Sequence, residues 1–384
     1  MNSCRVCGAN CEAPVYRKKA PSLTSVQTVL KCETVCYFCS KCGHIQSPDV
    51  PELENFYNSD YKISLASDEF DQLYEFRDNR PIYRTEKQAE LVLEHASPPL
   101  SARVLDYGAA KATTLRAICS KRKDILPHVI DVSEDYRSQW MGWVPTDAQA
   151  TYVAPVSWKN QFDLITAHFV LEHVADPIST CREMTRLLAP DGKIFIAVPD
   201  FEKNVGDILV VDHINHFTEA SINYVLTMSG LRASFVSREM FRGAFVIVAH
   251  KSDKSAREDT LVNYEMTAIH KSVKRISNYW QRAQELLAAS VEKNAELSAV
   301  IYGAGFYGKF IASELYGRQK LLGYLDRNPH LRRIDQNLPI FDPLDAPETL
   351  EIVYTGLNPS IARTVIANWQ EQSNRRNVKI VFLD

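Results

Sequence analysis

The stretch that most constrains this chain is Arg103 to Ile118, RVLDYGAAKATTLRAI. A short apolar run, Val104-Leu105, ends at Asp106, a small-residue turn follows, and from Thr113 the spacing becomes helical. A strand that passes through a tight turn straight into a helix leaves the helix's first N–H groups without intrahelical partners. The helix dipole also favours negative charge at that end. Small side chains in the turn let a ligand approach the backbone closely. The pattern predicts an α/β unit with a ligand site at the end of the strand; a turn made only for packing is the plain alternative.

Asp106 and Gly108 match the D/E-x-G-x-G-x-G form of motif I, which this stretch resembles, in the class I S-adenosylmethionine (SAM) methyltransferases. Ala110 and Ala112 stand where that family has its second and third glycines; alanine permits close approach but resists positive φ. Ile125 to Ile130 reads as a second strand ending at Asp131. Asp131-Val132-Ser133 is similar to the family's D-x-S, which implies that Asp131 accepts hydrogen bonds from ribose hydroxyls; a helix cap for Glu134 onward is the alternative. Gln161 to Pro177, QFDLITAHFVLEHVADP, resembles the family's fourth strand and following helix, and Leu187 to Pro199 continues the likeness. Asp176-Pro177 opens that helix with a cap and a first-turn proline. The resemblance implies cofactor contacts at Asp106, Tyr107, Gly108, Ala110, Asp131, Val132 and His168, with Glu172 and His173 orienting the loop. Trp140, Trp143 and Trp158 either line a pocket or pack, and packing is the reading favoured here.

Seven of the nine cysteines fall in the first 42 residues. Cys4-x-x-Cys7 is followed after 31 residues by Cys39-x-x-Cys42, and a glycine follows each pair. Two such knuckles present four thiolates in a tetrahedron, which suits a structural Zn²⁺ with no vacant position. A disulfide framework is the alternative, disfavoured in a reducing compartment. Cys11, Cys32 and Cys36 lie close enough in sequence to compete, and His44 could also substitute as a ligand but reads rather as a surface histidine.

Past Pro199, GDILVVDHINHFTEASINYVLTMSGL resembles a signature of nucleotide-sugar C-methyltransferases, roughly D-x-I-Y-H-E-H-x-x-Y-F-S before a helix. Asp207, Leu209, Asp212, His213, Phe217 and Thr218 occupy matching places, while Val210, Val211 and His216 depart from it. A carbon acceptor becomes nucleophilic only when a base removes a proton beside a carbonyl, and histidine titrates near neutrality. The resemblance makes His213 that base with Asp212 orienting it, and His216 is the candidate donor to the enolate oxygen. The pattern H-x-x-x-F also occurs in general SAM methyltransferases without catalytic use.

Near the other end, Ala299 to Tyr302 reads as a strand, Gly303-x-Gly305-x-x-Gly308 leads into a helix, and Leu321 to Leu325 forms a strand ending at Asp326. That is a dinucleotide fingerprint in its proper context, although the remaining residues are too few for a full two-half domain plus a substrate domain. GYLDRNPHLRRIDQNLPIFDP resembles instead the C-terminal domain of the C-methyltransferases. That resemblance implies substrate contacts at Gly303, Gly305, Gly308, Asp326 and Arg327, with Arg327, Arg332 and Arg333 able to meet a diphosphate; a packing turn with an empty site and a solvated charge cluster are the alternatives.

A chain of 384 residues exceeds a single core. The expected layout is α/β: a zinc module (1–60), a Rossmann-like class I methyltransferase domain led by a helical linker (61–250), connecting helices (251–297) and a smaller Rossmann-like domain (298–384). A net charge of −3 argues against a nucleic-acid surface, and no apolar run nears the ~20 residues of a membrane span. A cytoplasmic SAM-dependent methyltransferase is expected, acting in a cleft between the second and third domains on the carbon beside a ketone of a nucleotide-linked sugar. Small-molecule O- or N-methylation, a non-catalytic nucleotide-sugar-binding protein and, more distantly, an NAD-dependent oxidoreductase are the alternatives.

Overall fold

Alternate residues of the central strands belong to two different buried clusters, so the sheet they form is covered on both faces. Leu105, Ile165, Ile194, Ile196 and Ile247 pack to one side, and Val104, Leu164, Phe195, Ala197 and Val246 to the other. The structure is a computed structural model that describes residues 3–49, 71–252, 264–328 and 338–384. The aromatics Phe56, Tyr57, Tyr61 and Phe70 expected in the linker, Leu261 of the expected connecting helices, and Arg332 and Arg333 lie outside the described residues.

The first segment holds β1 (Tyr16–Lys18), the antiparallel pair β2 (Ser22–Leu23) and β3 (Val29–Leu30), and the antiparallel pair β4 (Thr34–Phe38) and β5 (Ile45–Gln46). The described end of the expected linker is a hairpin, not a helix. It joins β6 (Leu73–Arg77) to β7 (Arg80–Tyr83) through Asp78 and Asn79, both left-handed, as a two-residue turn matched to strand twist demands. Helix α1 (Arg84–Leu91) follows.

The central unit then runs β8 (Arg103–Tyr107), α2 (Thr113–Lys121), β9 (Leu126–Asp131), α3 (Arg137–Trp140), β10 (Gln149–Thr151), β11 (Phe162–His168), α4 (Pro177–Leu187) and β12 (Leu188–Pro199). It closes with β13 (Asn215–His216), α5 (Glu219–Met228), β14 (Leu231–Phe241) and β15 (Ala244–Lys251). The seven-stranded sheet has the order β10-β9-β8-β11-β12-β15-β14, with β15 antiparallel to both neighbours. Strand order reverses between β8 and β11, which opens a crevice at their C-terminal ends.

After α6 (Met266–Asn294) come β16 (Ala299–Tyr302), α7 (Phe306–Leu315), β17 (Leu321–Leu325), β18 (Ile340–Phe341), β19 (Ile352–Thr355), α8 (Pro359–Gln372) and β20 (Lys379–Val381). These strands form a fully parallel sheet ordered β18-β17-β16-β19-β20, reversing between β16 and β19. Its core includes Val300, Leu325, Val353, Ile366 and Trp369.

Contacts divide the chain into two compact units. One takes Met1–Tyr16, Val35–Ile208 and Asp212–Val273; the other takes Arg17–Thr34, Leu209–Val211 and Lys274–Asp384. The paired cysteines therefore share a unit with the seven-stranded sheet. Among the described residues no helix is long and apolar enough to cross a membrane.

Candidate functional site

The turn after β8 is built from backbone donors. Gly108 and Ala109 N–H donate to the Ile130 carbonyl at 2.9 and 3.0 Å, and Ala110 N–H donates to Asp131 Oδ2 at 2.8 Å. Ser133 N–H donates to Asp131 Oδ1 at 3.0 Å, so the carboxylate at the end of β9 props the turn and keeps lone pairs for other donors. Gly108, Ala110 and Ala112 have φ of 72°, 45° and 52°, so both alanines adopt the conformation an L-residue resists. A Cβ at Gly108 would come within 2.6 Å of Val170 Cγ2. Trp140 Nε1 donates to the Ala110 carbonyl at 2.7 Å, a role the packing reading of that tryptophan missed. Helix α2 starts at Ala112 without a side-chain cap. Its first donors are thus turned to the crevice with no side chain competing for them.

Around this turn, Asp106 is buried and accepts from Thr166 Oγ1 at 2.8 Å; burial pushes its carboxyl up to about 7. Burial likewise raises Asp131, although its backbone donors oppose the shift, and lifts the Tyr107 phenol to about 12. Val132 is 78% exposed beside Asp131. His168 ends β11 with both ring nitrogens shielded and unpartnered, and burial pushes it down to about 3.

A second cluster lies between the loop after β11 and the segment before α5. His213 Nδ1 donates to Asp207 Oδ1 at 2.7 Å, and His216 Nδ1 donates to Asp207 Oδ2 at 2.6 Å. Asp207 has no exposed surface, and its two histidines overcome burial to hold it well below the usual carboxylate range. Burial works against charge on both rings, yet Asp207 outweighs it, raising His213 and bringing His216 to about 10. This corrects two expectations. The carboxylate that orients His213 is Asp207, not Asp212: adjacent side chains diverge, whereas the helical turn at Asp207–Leu209 brings Asp207 back onto the ring. Asp212 instead receives His173 Nδ1 on its carbonyl at 2.9 Å. His216 is no enolate donor, because it is fully buried with Nδ1 on Asp207 and Nε2 at 3.2 Å from Ser47 Oγ.

Asn215 ties this cluster together. Its Nδ2 donates to the Leu171 and Val174 carbonyls at 2.9 and 2.7 Å, its N–H donates to the Glu172 carbonyl, and its Oδ1 lies 3.1 Å from His44 Nε2. His44 is therefore a buried residue, packed on Phe217, and not the surface histidine expected. Burial pushes its ring down to about 3. Pairing of β13 with β5 fixes the segment.

Cys4, Cys7, Cys39 and Cys42 converge, with ligand atoms within 4.8 Å of one another, and none is in a disulfide. Cys4 Sγ lies 3.6 Å from Cys42 Sγ, and Cys7 Sγ 3.4 Å from Cys39 Sγ. A tetrahedron with ~2.3 Å metal–sulfur bonds has edges of about 3.8 Å, so the four thiols fit a zinc ion. Gly8 and Gly43, at φ of 71° and 72°, donate back to the carbonyls of Cys4 and Cys39 and close the two knuckles. Cys36 faces Ser47 and His216 instead.

Several solved structures match part of this chain. They include the Haloferax volcanii complex of a methyltransferase activator with its methyltransferase partner (16% identity, 44% of this chain, 91% of that chain, TM-score 0.38). A SAM-dependent methyltransferase from Aquifex aeolicus (19%, 42% and 88%, 0.34) and a riboflavin-derivative dimethyltransferase from Streptomyces davawensis (16%, 43% and 53%, 0.35) also match. No curated protein matches the chain. The family described as "Methyltransferase domain" matches residues 79–233, which contain the β8 turn, Asp131 and the loop after β11. The chain carries a SAM-dependent methyltransferase domain. Within it, the uncapped start of α2 offers N–H donors suited to an anionic group such as SAM's carboxylate, and the acid ending β9 offers acceptors suited to hydroxyls such as those of its ribose.

Outside the methyltransferase domain, the turn after β16 repeats the construction. Gly303 N–H donates to the Leu325 carbonyl and Ala304 N–H to Asp326 Oδ2, both at 2.8 Å, while Asn328 N–H donates to Asp326 Oδ1. Gly303 has φ of 99°, and a Cβ on Gly308 would overlap its carbonyl oxygen. Gly356, which the sequence reading did not single out, lies against Gly308: its Cβ would fall 2.6 Å from the Gly308 Cα. Gly305 faces open space at the uncapped start of α7, and Arg327 is exposed with Nη2 donating to Gln372.

Proposed function

We propose that this methyltransferase transfers the methyl of SAM to the carbon beside the ketone of a nucleotide-linked sugar, with His213 as the base. SAM supplies an electrophilic methyl group on a sulfonium. His213, its Nδ1 held by Asp207 at 2.7 Å, is the observation that carries the reading: the fixed tautomer directs Nε2 to the substrate. The C–H bond beside the ketone breaks, its proton passes to Nε2, and its electron pair forms the enolate. The enolate carbon then bonds to the methyl as the S–CH₃ pair returns to sulfur. Asp207 orients the ring and stabilises its cation, Asp131 holds ribose hydroxyls, and Asp106 braces the turn through Thr166. A structural zinc on Cys4, Cys7, Cys39 and Cys42 supports the β4–β5 hairpin that pairs with β13, and the second turn takes a nucleotide at Gly305 and Asp326.

The test follows two readouts on nucleotide-linked keto-sugars. His213→Ala is expected to lower kcat/KM by about 10²–10⁴-fold, the range of a lost general base. In D₂O without SAM, the unaltered enzyme is expected to exchange the proton beside the ketone and the variant to fail. A loss of only a few fold with exchange retained sinks C-methylation. O- or N-methylation of a small molecule is the second reading, favoured by one observation: His216 has both nitrogens engaged, leaving the enolate oxygen without its expected donor.

A further inference from the structure

Glu172, His173 and His213 meet in the methyltransferase unit, one ligand atom of each lying within 4.8 Å of the other two. Glu172 is only 1% exposed, and neither of its carboxylate oxygens has a hydrogen-bond partner. Buried carboxylates are ordinarily paired, or they coordinate a metal.

The two histidines carry the complementary feature. His213 gives its Nδ1 to Asp207 at 2.7 Å, and His173 gives its Nδ1 to the Asp212 carbonyl at 2.9 Å. A carboxylate or carbonyl on one ring nitrogen is what fixes the tautomer of a metal-bound imidazole and turns the other nitrogen to the ion. The rings stand edge to face, with centroids 4.9 Å apart, so they converge without stacking. Two imidazoles and one carboxylate suit borderline transition ions and leave open coordination positions. Mg²⁺ and Ca²⁺ prefer all-oxygen shells and are poorly served by this set.

We propose that Glu172, His173 and His213 form a second metal site, distinct from the four cysteines, for a divalent ion of the zinc or cobalt class. Its consequence rests on the base role given to His213 above. An ion on His213 Nε2 and a substrate proton on the same nitrogen exclude one another, so the loaded site holds methyl transfer off.

Metal analysis of the full-length protein, dialysed against micromolar free Zn²⁺, tests the site without reference to activity. Glu172→Gln and His173→Ala are each expected to bind one zinc fewer per chain than the unaltered protein, with S-adenosylhomocysteine binding retained as the sign of a folded domain. An unaltered protein holding at most one zinc that neither variant loses overturns the site, as does a second zinc that both variants keep. Should either variant lose S-adenosylhomocysteine binding, Co²⁺ added to unaltered protein loaded with a single zinc equivalent per chain decides: weak ligand-field bands without thiolate charge transfer are expected, and their absence overturns the site. Turnover is then measured across the same zinc range. It is expected to fall as the second equivalent binds; unchanged turnover with that ion bound overturns the regulatory consequence alone. Absence of turnover at any zinc level counts against the proposed reaction while leaving the metal count standing.

Discussion

The turns after β8 and β16 solve one problem in two ways. In each, a parallel strand feeds an uncapped helix, and an aspartate ending the next strand accepts a turn N–H on one oxygen and an N–H two residues onward on the other. The first turn reaches its helix five residues after Gly108, passing two alanines through left-handed φ; the second takes three residues after Gly303. The first tolerates backbone strain to hold a wider loop, with Trp140 bonded to its carbonyl. The second uses Gly303, Gly308 and Gly356 to bring helix, strand and neighbouring loop into backbone contact. A glycine motif thus reports close packing as readily as ligand approach, and of the three motif glycines only Gly305 faces open space.

The sharpest way to break the comparison is Gly308→Ala against Gly305→Ala. The first forces a Cβ onto the Gly303 carbonyl and is expected to cost more than about 3 kcal/mol in thermal or denaturant unfolding. The second is expected to cost less than about 1 kcal/mol, since nothing lies within 4 Å of its Cβ. Equal losses would show that the packing account of Gly308 is wrong.

A middle-sized effect separates the strands. Asp106 sits two residues before Gly108, where the second unit has the buried Ile301 before Gly303. With its folded pKa raised by burial to about 7, Asp106 supports the fold fully below about pH 4, and that contribution is lost as pH rises through 7. Asp106→Asn, still able to accept from Thr166, is expected to gain on the order of 2 kcal/mol at pH 8 and little at pH 4, read from melting curves at both values. A gain independent of pH would point away from the carboxylate.

The smallest effect is at the alanines. Ala110→Gly and Ala112→Gly remove the left-handed penalty and are each expected to stabilise by about 0.5–1 kcal/mol. Destabilisation by either would mean that the methyl's packing outweighs the strain.

Much of this was legible in the chain because it is written in local spacing. The strand–turn–helix of Arg103 to Ile118, the paired cysteines and the acids Asp131 and Asp326 are each separated from their partners by fixed, short offsets or by one crossover. Asp207 aligns with a family position, but the sequence points to Asp212 as the carboxylate of His213, because contact across a loop follows from the loop's path and not from adjacency in sequence. The burial of His44 and the engagement of His216 depend on β13 meeting β5 across about 170 residues, a pairing too short to leave a sequence pattern. Glu172 was read only as orienting its loop, since a buried carboxylate beside two histidines becomes visible only in three dimensions. Gly356 had no motif to mark it, and only the backbone approach of Gly308 explains it.

The central claim is that the first turn, not the second, holds SAM. Calorimetric titration with S-adenosylhomocysteine tests it most directly, using the unaltered protein, Asp131→Ala and Asp326→Ala. Micromolar binding, about −8 kcal/mol, is expected for the unaltered protein and for Asp326→Ala, with Asp131→Ala weakened about 100-fold. No heat at millimolar ligand, or a loss confined to Asp326→Ala, would contradict the account.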